Sequence, residues 1–373
     1  MEETYDVVVL GTSVAQSLIA ALLSKQGLNV LQVDRNCFYG GQEATLSWKQ
    51  LCKRFSHEDV TEVRQWNVDL VPLLLEEQLF AMLDTLTISQ YVDYVGLQGT
   101  FIVQNSQLHS LSQFSDWLLS PEFRMLLAGF DSSKAETWAG LDLQELSFAE
   151  VAAHFGLSIG ETMKNISGLR GLEIFRHSQT YAYLLYGASS VVEACTRLSA
   201  IYGGTVMLGQ TIEVEWEGDS VTGVRLEQGS VHCKCVVSDT AYVPAQARKR
   251  STVARSICVL RHPVGTVSSG LVIVPQETHS IYITVLSATQ QVCPPGYWVA
   301  VCCSEVETEA ELKPAYDVLQ PIERTFFNLA DTCDARQCAN LWVTQCASAA
   351  PHARDVAEEV KTIVAGVTAL ISP

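Results

Sequence analysis

The segment that ends at Asp34 constrains this chain more than any other. Tyr5-Asp6-Val7-Val8-Val9-Leu10 is a short, continuous, Val-rich run, as expected of a strand buried on both faces of a parallel sheet. Gly11-Thr12-Ser13 breaks it. Residues 14–26 then carry Leu18, Ile19, Leu22 and Leu23 at helical spacing, and Gly27 stands where a left-handed residue closes a helix. A second run over 30–33 ends on Asp34. This order of strand, glycine turn, helix, strand and acid predicts the first βαβ unit of a dinucleotide-binding fold. There the helix N-terminus would hold a pyrophosphate and Asp34 a ribose hydroxyl.

The phosphate fingerprint is eroded. Of G-x-G-x-x-G only Gly11 survives in Gly11-Thr12-Ser13-Val14-Ala15-Gln16. Ser13 puts a side chain where the backbone must approach the phosphates, and Gln16 replaces the glycine that lets helix and strand pack closely. The expectation is a retained fold with no flavin or nicotinamide cofactor. A redox enzyme that still uses flavin is the opposing reading.

With 373 residues, 48% of them hydrophobic, the chain can bury a large core, in one large or two modest domains. Lys plus Arg is 24 against 41 Asp plus Glu, a net charge of −17, which argues against bulk binding to nucleic acid. No apolar run reaches the roughly 18 residues of a spanning helix. The acidic start Met1-Glu2-Glu3 is unlike a signal peptide. These features predict a soluble, cytoplasmic protein. Its 12 cysteines include no C-x-x-C pair and its histidines no H-x-x-x-H spacing, so no metal site and no catalytic nucleophile are expected. Most of the cysteines are read as small buried apolar residues.

Further along, Ser190-Val191-Val192-Glu193 reads as a capping box opening a helix with apolar Ala194, Cys195, Leu198 and Ile201, closed by Gly203-Gly204. Strands are expected near 205–208, 211–216 and 221–226, with a Gly218-Asp219 turn. Over 111–187 the pattern becomes helical. Ser120-Pro121-Glu122 and Ser147-Phe148-Ala149-Glu150 are helix starts, and Phe123, Leu126, Leu127 and Phe130 recur at helical spacing.

Several segments carry a family resemblance in the same order along most of the chain. They are 34–41 (Asp-Arg-Asn-Cys-Phe-Tyr-Gly-Gly), Arg64-Gln65-Trp66-Asn67-Val68-Asp69-Leu70-Val71-Pro72, Arg197-Leu198-Ser199-Ala200-Ile201-Tyr202-Gly203-Gly204-Thr205 and Tyr242-Val243-Pro244. With them the chain resembles the superfamily of Rab GDP dissociation inhibitors and Rab escort proteins, and the inhibitors more closely. The resemblance implies an α/β, flavoprotein-like (FAD/NAD(P)-binding type) domain with mixed sheets over 1–110 and 188–373. It also implies an inserted all-helical, prenyl-binding domain over 111–187, shortened near Gly171 to Tyr186.

The resemblance further implies a monomer that catalyses nothing and takes no cofactor. Its partners would be Rab-family small GTPases in the GDP form, their geranylgeranyl lipid and, transiently, a membrane surface. By resemblance, Tyr39, Gly40, Gly41 and Arg64 belong to a Rab-binding platform, and Arg197 to a mobile loop region tied to membrane recruitment. A tyrosine usually found nine residues after that arginine is Val206 here. Phe130, Phe148, Met163 and Ile166 are candidates to line the prenyl cavity, and plain bundle core is the alternative for each. In the escort reading, Phe114 and Arg124 would contact Rab geranylgeranyltransferase. The alternatives for Tyr39, Arg64 and Arg197 are a turn cap and surface ion pairs.

Overall fold

The computed structural model describes residues 3–56, 65–104, 106–111, 137–138, 140–143, 145–155, 167, 171–172, 174, 181–276, 278–335, 338–345, 348–350 and 353–371. Among these, two seven-stranded sheets organise the chain. In the first, Glu3–Leu10 lies between Val30–Val33 and Gly229–Asp239, parallel to both. Thr205–Met207 extends it beyond Val30–Val33, again parallel. On the other side, Gly229–Asp239 forks. Its start pairs antiparallel with Ser220–Leu226, and its end pairs parallel with Leu341–Thr344.

The burial of the first strand explains its continuous apolar run. Val7 and Val9 face a helical layer that includes Leu18, Ile19, Val191, Cys195 and Val360, while Val8 and Leu10 face Val221, Val224 and Val243. Both faces are covered, so alternation is lost. The first helix, Val14–Lys25, packs beside Ser189–Ile201 and the C-terminal helix Ala353–Ile371. The Ser24 and Ser199 hydroxyls meet across the first of these contacts at 2.8 Å.

The second sheet runs in the order Arg324–Ala335, Ala247–Leu260, Trp298–Ser304, Ser280–Ser287, Gly270–Pro275, Thr100–Gln104, Gln107–Ser110. It is antiparallel except where Gly270–Pro275 meets Thr100–Gln104. The expected fold class, a flavoprotein-like α/β domain with mixed sheets, is the one found. The predicted meander falls at Thr205–Met207, Glu213–Glu217 and Ser220–Leu226, with Gly218 left-handed at φ 64 in the turn. Seven of the described cysteines are buried, in line with their reading as small apolar residues. No helix among the described residues is long and apolar enough to cross a membrane.

Three expectations need correction. The helix at 189 begins without a side-chain cap of its own, and Ser190 Oγ donates to Gly187 O at 2.9 Å instead of forming a capping box. The acceptor comes from elsewhere in the fold, because the Asp69 carboxylate receives the Ala188 N–H at 3.0 Å. Ile201, placed among the apolar positions of that helix, is 66% exposed. Within 111–187, the described residues include the capped helix Phe148–His154, and they also form strands. Thr137–Trp138 pairs with Leu141–Asp142, and Ala182–Leu184 pairs with Tyr94–Gly96. Strands of two or three residues carry too little periodicity to be seen in a sequence.

Candidate functional site

The eroded glycine turn and the segment Tyr39-Gly40-Gly41 meet. Gly40 donates its N–H to Thr12, to the backbone carbonyl at 3.1 Å and to Oγ1 at 3.0 Å. At Gly40 φ is +90°, and a Cβ would stand 2.6 Å from the Ala44 Cα, so only glycine allows this approach. The segment is thereby pinned to the start of the first helix.

Asp34 lies beneath it, 1% exposed. Its Oδ1 accepts the Asn36 N–H and Nδ2, both at 2.8 Å, and the Tyr242 hydroxyl at 3.1 Å; Oδ2 accepts the Thr12 hydroxyl at 2.5 Å. Four donors from the protein occupy a carboxylate that in a dinucleotide-binding protein would await a ribose. The helix N-terminus is also engaged. Ser13 and Gln16 form a reciprocal capping box, with the Ser13 N–H on Gln16 Oε1 at 2.8 Å, and Gln16 Nε2 reaches Thr344 Oγ1 at 2.8 Å. The Glu43 carboxylate takes the Val14 N–H. The helix N-terminus, where a bound phosphate would gain most from the dipole, is thus already occupied by a carboxyl of the chain itself.

A cavity of about 450 Å³ remains beside these groups, lined among others by Asp34, Glu43, Asp239, Tyr242 and Arg255. Burial raises the carboxyls of Glu43, to about 7, and of Asp239; the Arg255 guanidinium opposes the shift at Glu43 and the neighbouring Asp239 adds to it. A cavity whose phosphate and ribose partners are spent on the chain itself does not fit a dinucleotide. Glu43 supplies a test. Its folded pKa of about 7 lies above its ordinary 4.5, so the folded state holds the extra proton between those values and stability falls as pH rises through that window. Glu43→Gln keeps the acceptor for Val14 and removes the titration. Thermal melts from pH 5 to 8 are expected to show the variant gaining on the parent as pH rises; a constant difference would contradict the assignment.

The other sequence-derived residues divide between places. Tyr39 is half-buried against the core beneath the first sheet, and Gly41 is left-handed at φ 53. Arg197 does not sit in a loop. It lies within the helix Ser189–Ile201, its guanidinium 5.5 Å from the ring centroid of Tyr91. Val206 is an edge-strand residue opposite Gln32. Phe148 is fully buried in the core. A Cβ added at Gly171 would stand 2.0 Å from the Phe148 ring, so the Gly171 backbone packs directly on it. Arg64, Phe114, Arg124, Phe130, Met163 and Ile166 lie outside the described residues.

Three residues of the network have no role in the sequence reading. Tyr242 bonds Asp34, and its ring carries the Arg35 guanidinium at 4.1 Å. Glu43 caps the first helix, and Asp69 caps the helix at 189. Tyr242 and Asp69 stand in the quoted Tyr-Val-Pro and Trp-Asn-Val-Asp segments, and that was the signal available. Glu43 opens the Glu-Ala-Thr-Leu segment that continues the resemblance, but its pairing with Val14 is reached only through the fold.

Comparison with known proteins adds three findings. The sequence model of the family described as GDP dissociation inhibitor matches residues 1–170 and 162–370. The Rab GDP dissociation inhibitor beta of Rattus norvegicus is 28% identical over 427 residues, covering 99% of this chain and 96% of the relative. An alignment longer than the 373 residues of this chain requires gaps in it. The crystal structure of a Rab GDI from Plasmodium falciparum superposes with a TM-score of 0.78 at 25% identity, over 96% of this chain and 97% of that one. An oxidoreductase from Methanosarcina mazei reaches 0.63 at 18% identity, over 96% and 100%, and shares the fold alone.

Proposed function

This chain belongs to the GDP dissociation inhibitor family, and from that premise we propose that it binds GDP-bound, prenylated Rab GTPases and carries them between membrane and cytosol. The activity is stoichiometric binding; the chain is a regulator of a GTPase, not an enzyme. The observation that carries the reading is the pinned Tyr39-Gly40-Gly41 segment. Internal donors and a chain carboxylate have taken over the cofactor groove, and the segment is held rigid at its mouth. A surface with its geometry fixed before binding loses less entropy on association.

The energetics assign separate tasks to protein and lipid. Each methylene moved from water contributes about 0.8 kcal/mol, but a prenyl chain leaving a bilayer leaves an equally apolar solvent, so its transfer is nearly neutral. The protein contact must therefore bias the equilibrium toward extraction. Preference for the GDP form makes GDP harder to lose by linkage. The lipid would enter the segment 111–187, with Phe130, Met163 and Ile166 as its candidate wall.

Two substitutions test the platform. Tyr39→Ala and Arg64→Ala are each expected to weaken binding of a GDP-loaded Rab by about 30-fold, the equivalent of a 2 kcal/mol interface anchor. Both variants should still melt cooperatively, with Tyr39→Ala losing some stability because its half-buried ring leaves the core. Unchanged affinity in both variants would show that the platform lies elsewhere.

A further inference from the structure

Three helices leave a groove whose lining shares no residue with the cofactor-like cavity. Its floor is half-buried Leu22 of Val14–Lys25, buried Met82 of Glu77–Leu86 and buried Val364 of Ala353–Ile371, and its walls are the small exposed side chains Ala81, Ala365 and Ala369. The volume is about 600 Å³, within the range of small-molecule sites. On the C-terminal helix the groove runs from Lys361 to Ala369, about 12 Å at the helical rise.

The polar groups at one end are already satisfied. Thr85 donates to Ala81 O at 2.8 Å, and Lys25 donates to Thr85 O at 2.6 Å. Thr368 donates to Gln26 Oε1 at 2.9 Å and to Val364 O at 2.7 Å. These contacts leave an apolar trough. Lys361 stands at the opposite end, exposed and with no ion pair or hydrogen bond among the described residues. With the Lys25 ammonium held on Thr85 O, the Lys361 ammonium is the one left to meet an anionic head group among the described residues lining the trough.

We propose that this groove binds an unesterified medium-chain fatty acid, its alkyl chain along Met82, Val364 and the three alanines and its carboxylate on Lys361. The trough gains from each methylene it takes from water, and the ammonium selects an anionic head over a neutral one. The length of the groove suits a medium chain better than a long one. None of its lining residues belongs to the segment 111–187 proposed to receive the Rab lipid.

Isothermal titration of the full chain with dodecanoate below its micelle concentration, beside dodecanol as the uncharged probe, tests the assignment. Saturable one-to-one binding of dodecanoate is expected. Ala365→Trp, which fills the trough from an exposed position, should weaken both probes tenfold or more with an unchanged thermal midpoint. Lys361→Glu should weaken dodecanoate tenfold or more and leave dodecanol unaffected. Absence of saturable binding, or equal dodecanoate affinity in Ala365→Trp, would overturn the site. Equal dodecanoate affinity in Lys361→Glu would overturn the role given to the head group. A concentration-dependent dimer that Ala365→Trp abolishes, without dodecanoate binding, would assign the groove to a second copy of the chain and overturn the proposal.

Discussion

Asp69→Ala is expected to lower the unfolding free energy by about 3–5 kcal/mol. The Asp69 side chain is buried and accepts from the Thr45 hydroxyl, the Tyr183 hydroxyl at 2.5 Å and the Ala188 N–H at 3.0 and 3.1 Å. Thr45 Oγ1 in turn accepts the Ser189 N–H at 3.0 Å, so two neighbouring residues cap one helix. Truncation leaves three donors buried without their acceptor, and each such loss costs more than an ordinary hydrogen bond contributes. Burial pushes the Asp69 carboxyl above the usual carboxylate range, and the Thr45, Tyr183 and Ala188 donors offset only part of that shift. Asp69→Asn keeps an oxygen acceptor and should lose less. Urea midpoints of the three proteins measure the order, and an alanine variant as stable as the parent would remove Asp69 from its place in the fold.

Gly366→Val tests the C-terminal helix by the opposite route. A helix interior gains about 1 kcal/mol when glycine becomes alanine, and somewhat less for a β-branched residue. Here a Cβ would lie 2.2 Å from the Trp342 ring, on a strand fixed by its pairing with Gly229–Asp239. Overpacking against that ring costs about 1–3 kcal/mol and outweighs the propensity gain. The expected net loss is about 2 kcal/mol, read from thermal melts. Pairing the change with Trp342→Leu should recover most of it, because the double variant relieves the clash. A valine variant more stable than the parent would mean that propensity governs this position.

How much of this was legible in the sequence depends on the range of the interaction. The strand at 3–10, the helix at 14–25 and the strand at 30–33 were readable because burial on both faces and helical spacing are local patterns. The loss of the dinucleotide fingerprint was equally visible. What took its place was not, since Tyr242 and Thr344 reach Asp34 and Gln16 from more than 200 residues away. The same limit explains the cap at 189. Ser190 satisfied the motif, but Asp69, 119 residues before Ala188, supplied the acceptor. Arg197 was read from its motif as part of a loop, although its neighbours Ala194, Cys195 and Leu198 carry helical spacing, and the structure follows the spacing. Phe148, a lining candidate by resemblance, is fully buried in the core beside Gly171, a contact that no local pattern announces.

The central claim is that this chain removes a prenylated, GDP-bound Rab from membranes. Purified protein should be incubated with detergent-free membranes bearing geranylgeranylated Rab loaded with GDP or with a non-hydrolysable GTP analogue, and the supernatant assayed for Rab. The account predicts stoichiometric release of the GDP form alone, reduced in Tyr39→Ala. Rab retained on the membrane at saturating protein, or released equally in both nucleotide states, would contradict it.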